Sequence, residues 1–227
     1  MAAKKRSLRD IAYEQLKERI IDCTYAPDSM INEEGLQSEF GVSRTPIREA
    51  LIMLEHEGLV KIMPKKGVRI VRMTLKDVHD VFEVRKLIEP YILRQYGQGL
   101  SRQCINAMLR RHGELLEALE HGPEEKFKKQ VNALDCELHG MLIDSARNPF
   151  FSNLQQVIFA QNSRLRVLSA EEVKGRLVRT VQEHLELLHA LREGDMECAA
   201  ERMVSHLIES EKAAVATITA NPGQLGE

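Results

Sequence analysis

The sequence predicts a mainly α-helical protein in two parts. Residues 1–73 read as a winged helix-turn-helix, and residues 74–220 as an all-helical bundle of about six helices. Three observations predict this. Three short capped helical segments precede a pair of β-branched runs joined by a basic, glycine-bearing turn. From Thr74 onward the apolar residues keep a helical period to the end. Thr74 with Asp77 makes a capping box where the two patterns meet, so the boundary falls near Met73. The last residues, 221–227, are expected to be a disordered tail.

Ser7 and Asp10 form a first helix start, and Leu8, Ala12, Leu16 and Ile20 then recur at helical spacing to about Asp22. Pro27 breaks that pattern. Asn32 caps a short helix carrying Leu36 and Phe40, which Gly41 ends. Ser43 or Thr45 is expected to cap the third helix, with Pro46 tolerated in its first turn. Ile47, Ala50, Leu51 and Leu54 make its buried stripe, and Gly58 closes it. The runs "LVKI" (59–62) and "VRIV" (68–71) flank "MPKKG", a hairpin in which Gly67 is expected to supply the turn. The bundle helices are expected at 74–96, 101–120, 123–146, 149–168, 171–192 and 195–219.

Composition bounds the partners. Hydrophobic residues make up 43 % and charged residues 29 %, an ordinary folded balance. No apolar run reaches the roughly 18 residues of a membrane-spanning helix, and "MAAKKRSLRD" lacks an apolar core, so neither a membrane partner nor a signal peptide is expected. Four scattered cysteines without a C-x-x-C pair fit a reducing compartment, and the expected location is the cytoplasm. The net charge is −2, so any nucleic-acid surface must be a local cluster of basic residues.

"GVSRTPIREAL" (41–51) supplies one. Arg44 and Arg48 sit in the first turns of a helix, where the positive end of the dipole disfavours cations. In a helix-turn-helix that helix start enters the major groove of DNA. There the arginines face phosphates or the O6/N7 edge of guanine. Thr45 can contact a phosphate or a base methyl, and Lys65, Lys66 and Gly67 form a basic wing tip. The alternative is a pair of solvated surface arginines.

A second constellation lies in the helical part. Asp135 and His139 are four apart, inside the apolar stripe of Val131, Leu134, Leu138 and Leu142. His184 falls within the stripe of Val181, Leu185, Leu188 and Leu191, and His206 follows Met203 by three. One aspartate and three histidines therefore point inward from three helices. Burying them without partners is costly, and one divalent ion per chain (Zn, Ni, Mn or Fe) would satisfy all four. The alternative is that each histidine is solvated or singly bonded. His112 lies between Leu109 and Leu116 by the same rule, so periodicity alone does not make a ligand. Arg85, on the stripe with Val81, Ile88 and Ile92, needs an anion if buried. Either Glu89 or a bound carboxylate can supply it. Asn162, between Ile158 and Leu165, is a further pocket candidate.

The stretch "FGVSRTPIREALIMLEHEGLVKIMPKKGVRIV" resembles the winged-helix domain of the GntR family of bacterial transcription regulators. The resemblance implies that Arg44, Thr45, Arg48 and Gly67 contact operator DNA. Many members carry a DNA-contacting arginine in the preceding helix, where this chain has Glu34. Residues 74–219 resemble the effector domain of the FadR subfamily (FCD type), through D-x-x-x-H at 135–139, "NP" at 148–149, "EHLELLHAL" and the late "SHL". Six helices are similar to the VanR-type branch. In metal-containing members, the residues matching Asp135, His139, His184 and His206 are the ligands, and the resemblance supports Arg85 as a carboxylate clamp.

The expected function is a dimeric, ligand-responsive regulator, not an enzyme. It would bind double-stranded operator DNA as a homodimer and take a small organic acid at a metal-containing pocket of residues 74–220. The same contacts serve a repressor or an activator. The rival readings are a metal-dependent enzyme acting on a small carboxylate, and a regulator whose metal is purely structural.

Overall fold

The computed structural model describes residues 6–169 and 175–220, with backbone alone at 166–169. The expected tail at 221–227, and the expected helix start at 171, lie outside the described residues. The chain divides between Met73 and Thr74 into two compact units.

In the first unit, helix α1 (Leu8–Ile21) opens on the Ser7/Asp10 capping box and buries Ala12, Leu16 and Ile20. Strand β1 (Met30–Ile31) precedes helix α2 (Glu33–Phe40), which is capped by the Asn32 side chain and closed by Gly41 at φ 65°. Helix α3 (Arg44–His56) buries Ile47, Ala50, Leu51 and Leu54 completely. Ser43 is its N-cap residue but makes no side-chain capping bond, and Thr45 lies inside the helix. The expected cap is therefore missing, and the amide groups of this helix start are left without that partner.

Strands β2 (Val60–Met63) and β3 (Gly67–Ile70) form the wing. The sheet has three strands in the order β1-β3-β2, all antiparallel, rather than the expected two. Gly67 pairs with Met63 in the ladder, while Lys65 takes the left-handed conformation (φ 62°) in the turn itself. The glycine is required twice, first because it leaves the turn at φ 106°, in the region that favours glycine. Second, a Cβ there would stand 2.7 Å from the carbonyl oxygen of Ile31, so only a residue without a side chain lets β1 dock on β3.

The second unit holds six helices among the described residues. These are α4 (Leu75–Tyr96), α5 (Arg102–His121), α6 (Lys128–Asp144), α7 (Pro149–Ser169), α8 (Arg176–Glu193) and α9 (Met196–Ala220). The capping box of Thr74 and Asp77 starts α4, which continues through Pro90. The third bundle helix begins later than expected, because Glu124–Phe127 form a 3₁₀ turn after Pro123. The core is built from the apolar stripes of α4, α5, α6, α8 and α9, with Leu138, Leu188, Met203 and Leu207 fully buried. That layer puts the polar residues of the stripes in the middle of the unit.

Candidate functional site

Helical periodicity carries Asp135 and His139 of α6, His184 of α8 and His206 of α9 into the core, where each is at most 1 % exposed. One donor atom from each lies within 4.8 Å of all the others. Nε2 of His184 and Nε2 of His206 face each other at 3.3 Å. Oδ1 of Asp135 stands 3.4 Å from His184 Nε2 and 3.6 Å from His139 Nε2. A divalent ion with bonds of about 2.0–2.2 Å spaces its donors about 3–4 Å apart, so the pairs at 3.3, 3.4 and 3.6 Å match one ion, and any pair as wide as 4.8 Å would close as the ion binds. Burial, and then the neighbouring imidazoles, push His184 and His206 well below the usual histidine range. Both rings are neutral near pH 7 and keep lone pairs for a cation.

Two of the rings are held from behind. Nδ1 of His139 meets Glu89 Oε2 at 2.5 Å, and Nδ1 of His206 meets Glu183 Oε2 at 2.7 Å. A carboxylate only accepts, so each Nδ1 carries the proton and each Nε2 is left for the cluster, which is the usual support of a metal-ligating histidine. Each glutamate is in turn gripped by an arginine. Arg85 Nε donates to Glu89 Oε1 at 2.6 Å. Arg176 forms a fork onto Glu183, at 2.7 and 3.1 Å, and also reaches Ser210. Burial alone would raise Glu89, but Arg85 and His139 outweigh it and hold the carboxyl at about 2. Burial likewise pulls His139 down, and the carboxylates of Glu89 and Asp135 more than offset it. Glu183→Ala should leave the His206 ring without its support and cost about 10–100-fold in metal affinity, measured by competition with a chromophoric chelator.

Arg85 and Asn162 meet beside this cluster. Arg85 Nη1 donates to Asn162 Oδ1 at 2.9 Å, and Nη2 lies against the His139 ring. These groups form the polar wall of a pocket whose apolar side includes Phe151 and Phe159 of α7. Its volume is about 10 Å³, the room of one water molecule. Of the two anions considered for Arg85, Glu89 is the one the structure places there, and the guanidinium also faces the pocket.

His112 is fully buried, with its ring centroid 5.3 Å from that of His184. Its Nδ1 donates to the Met108 carbonyl at 2.8 Å, so Nε2 bears a lone pair. It stands outside the four-donor set.

In the first unit Arg44, Thr45 and Arg48 are all exposed on the opening turns of α3, opposite its buried stripe. Arg44 is 70 % exposed at its side chain and meets Glu33 of α2 at 3.1 Å, a surface pair worth little against a phosphate. Lys65 and Lys66 are exposed at the hairpin turn, with Gly67 beginning β3 beside them. Glu34 is exposed on α2.

Residues 8–70 match the gntR family of bacterial regulatory proteins, and residues 80–209 match the FCD domain. The chain belongs to the GntR family. It is 26 % identical to the HTH-type transcriptional repressor RspR of Escherichia coli over 198 residues, which cover 87 % of this chain and 84 % of the repressor. A GntR transcriptional regulator from Rhodococcus sp. RHA1 has the same fold, with a TM-score of 0.73 at 19 % identity, covering 93 % of this chain and 99 % of that one. The Zn²⁺-bound FCD domain of TM0439 superposes with a TM-score of 0.50 at 21 % identity, covering 65 % of this chain and 98 % of that one. The GntR chain described here is thus a DNA-binding transcription regulator with an FCD domain, and its relatives are regulators rather than enzymes. That sets aside the metalloenzyme reading. Among the described residues no helix is long and apolar enough to cross a membrane.

Proposed function

We propose that this GntR regulator changes its operator affinity when a small organic acid binds beside a divalent metal held by Asp135, His139, His184 and His206. The convergence of those four buried donors next to the Arg85 pocket carries the reading. The zinc in the FCD domain of TM0439 supports a metal at a domain of this type. The residues here supply the ligands and their supporting carboxylates, and the metal would supply a positive centre for an acid group. The acid would also engage Arg85 and Asn162. With room for about one water molecule, about 10 Å³, the pocket would have to widen for such an acid, by movement of lining side chains to which α7 contributes Phe151 and Phe159. That movement is the differential contact an allosteric ligand requires.

Arg44, Thr45 and Arg48 are the operator-reading residues of this proposal, with Lys65, Lys66 and Gly67 as the wing contact. A homodimer follows from helix-turn-helix geometry, in which a two-fold protein meets two half-sites. The protein would work in the cytoplasm, where the DNA is.

Arg85→Ala should still fold, hold metal and bind operator, but its operator affinity should stop responding to the acid. Titrating candidate di- and hydroxy-acids against operator complexes of wild type and variant reads this out. An undiminished response in a well-folded variant would rule out the clamp. If the metal is structural alone, no acid should shift the melting temperature of the metal-loaded protein.

A further inference from the structure

Arg85 Nη2 lies 3.1 Å from Nδ1 and 3.2 Å from Nε2 of His139. Near-equal distances to both ring nitrogens put it over the face of the ring, not in line with either lone pair. The Nε2 lone pair stays in the ring plane, aimed at Asp135 and the other imidazoles. A full positive charge therefore rests on the back of one metal ligand, 3 % exposed and little screened by water. Glu89 shares its two oxygens between Arg85 Nε and His139 Nδ1, so it serves both groups at once.

The charges at the centre do not cancel once an ion is present. Asp135, Glu89 and Glu183 contribute three negative charges, and Arg85, Arg176 and a divalent ion contribute four positive ones. The loaded centre is left with one excess positive charge, beside a pocket that Arg85 lines. A monoanionic carboxylate in that pocket brings the sum to zero.

We propose that Arg85 opposes metal loading through its contact with His139, and that an acid bound in the pocket relieves the opposition, so that metal and acid bind cooperatively. The salt bridge between Arg85 and Glu89 then has two ends with opposite effects on the metal. Glu89 makes His139 a better ligand, and Arg85 makes it a poorer one. By linkage, whatever factor the acid adds to metal affinity the metal adds to acid affinity.

This inference rests on the four-donor metal site proposed above. The test is Zn²⁺ affinity of the full chain in carboxylate-free buffer, by competition with a chromophoric chelator, with folding checked by circular dichroism. Arg85→Met and Arg85→Gln should each bind Zn²⁺ about tenfold tighter than wild type, since a like charge is removed from a buried ligand. Two neutral replacements are used because glutamine can still donate to Glu89 if methionine unfolds the site. Arg85→Lys keeps the charge but loses the planar fork over the ring, so its affinity should fall between wild type and the neutral variants. Glu89→Gln should weaken binding about tenfold, the cost of a supporting carboxylate. A salt bridge that merely holds the fold predicts weaker binding from both ends. Equal or weaker Zn²⁺ affinity in folded Arg85→Met and Arg85→Gln would overturn the proposal while leaving the metal site standing. Failure of the wild type to bind Zn²⁺ would overturn both.

Discussion

His184→Ala and His206→Ala should each bind substantially less metal than wild type and melt at a lower temperature when metal is supplied. Each substitution removes a neutral nitrogen that faces the other at 3.3 Å. What remains is an incomplete donor set in a buried core, which binds a divalent ion poorly. An ion present at a hundred times its Kd stabilises the folded chain by about 2.7 kcal/mol, and that increment is what the variants lose. The melting difference should therefore collapse once a chelator strips the wild type. Metal analysis after dialysis, paired with melting curves with and without chelator, reads both parts. Equal occupancy in wild type and both variants would refute the site.

Arg44→Ala or Arg48→Ala should weaken specific operator binding by about 1–3 kcal/mol if the residue reads a guanine, with specificity relaxed at that base. The physical ground is their exposure on the opening turns of α3, where Ser43 provides no side-chain cap and the helix dipole favours an anion. Arg44 must leave Glu33 to do this, and its high exposure makes that exchange cheap. Lys65→Ala or Lys66→Ala should cost less, nearly independently of sequence, and reduce the salt slope by about one. Fluorescence anisotropy on operator and scrambled duplexes at several salt concentrations separates the two classes. Unchanged operator affinity in both arginine variants would remove them from the interface.

The four donors were legible because two of them share a helix face and the other two sit in stripes of the same period. Asp135 and His139 are four apart among leucines, and the structure buries both. His112 obeys the same rule and is also buried, yet it lies outside the donor set, so the period marks the interior and not the ligands. Glu89 and Glu183 were not legible as supports. Their partners stand 50 and 23 residues away, and pairings between helices leave no period in the sequence. The sequence offers Glu89 only as the counter-ion of Arg85, whereas its second oxygen holds His139. Strand β1 leaves no pattern in the sequence, because two residues are too few to show an alternation. Its trace in the sequence is Gly67, which serves both the turn, at φ 106°, and the close approach of Ile31. The later start of α6 has a local cause, since Pro123 and the 3₁₀ turn at Glu124–Phe127 take up the first residues of that pattern.

Coupling between the helical pocket and the operator is read from one comparison. Operator affinity is measured for metal-loaded wild type and for His184→Ala, each with and without the acid that most raises the melting temperature of the wild type. The acid should shift operator affinity in the wild type and leave it unchanged in His184→Ala, although both bind operator. An equal shift in the two proteins would contradict that coupling.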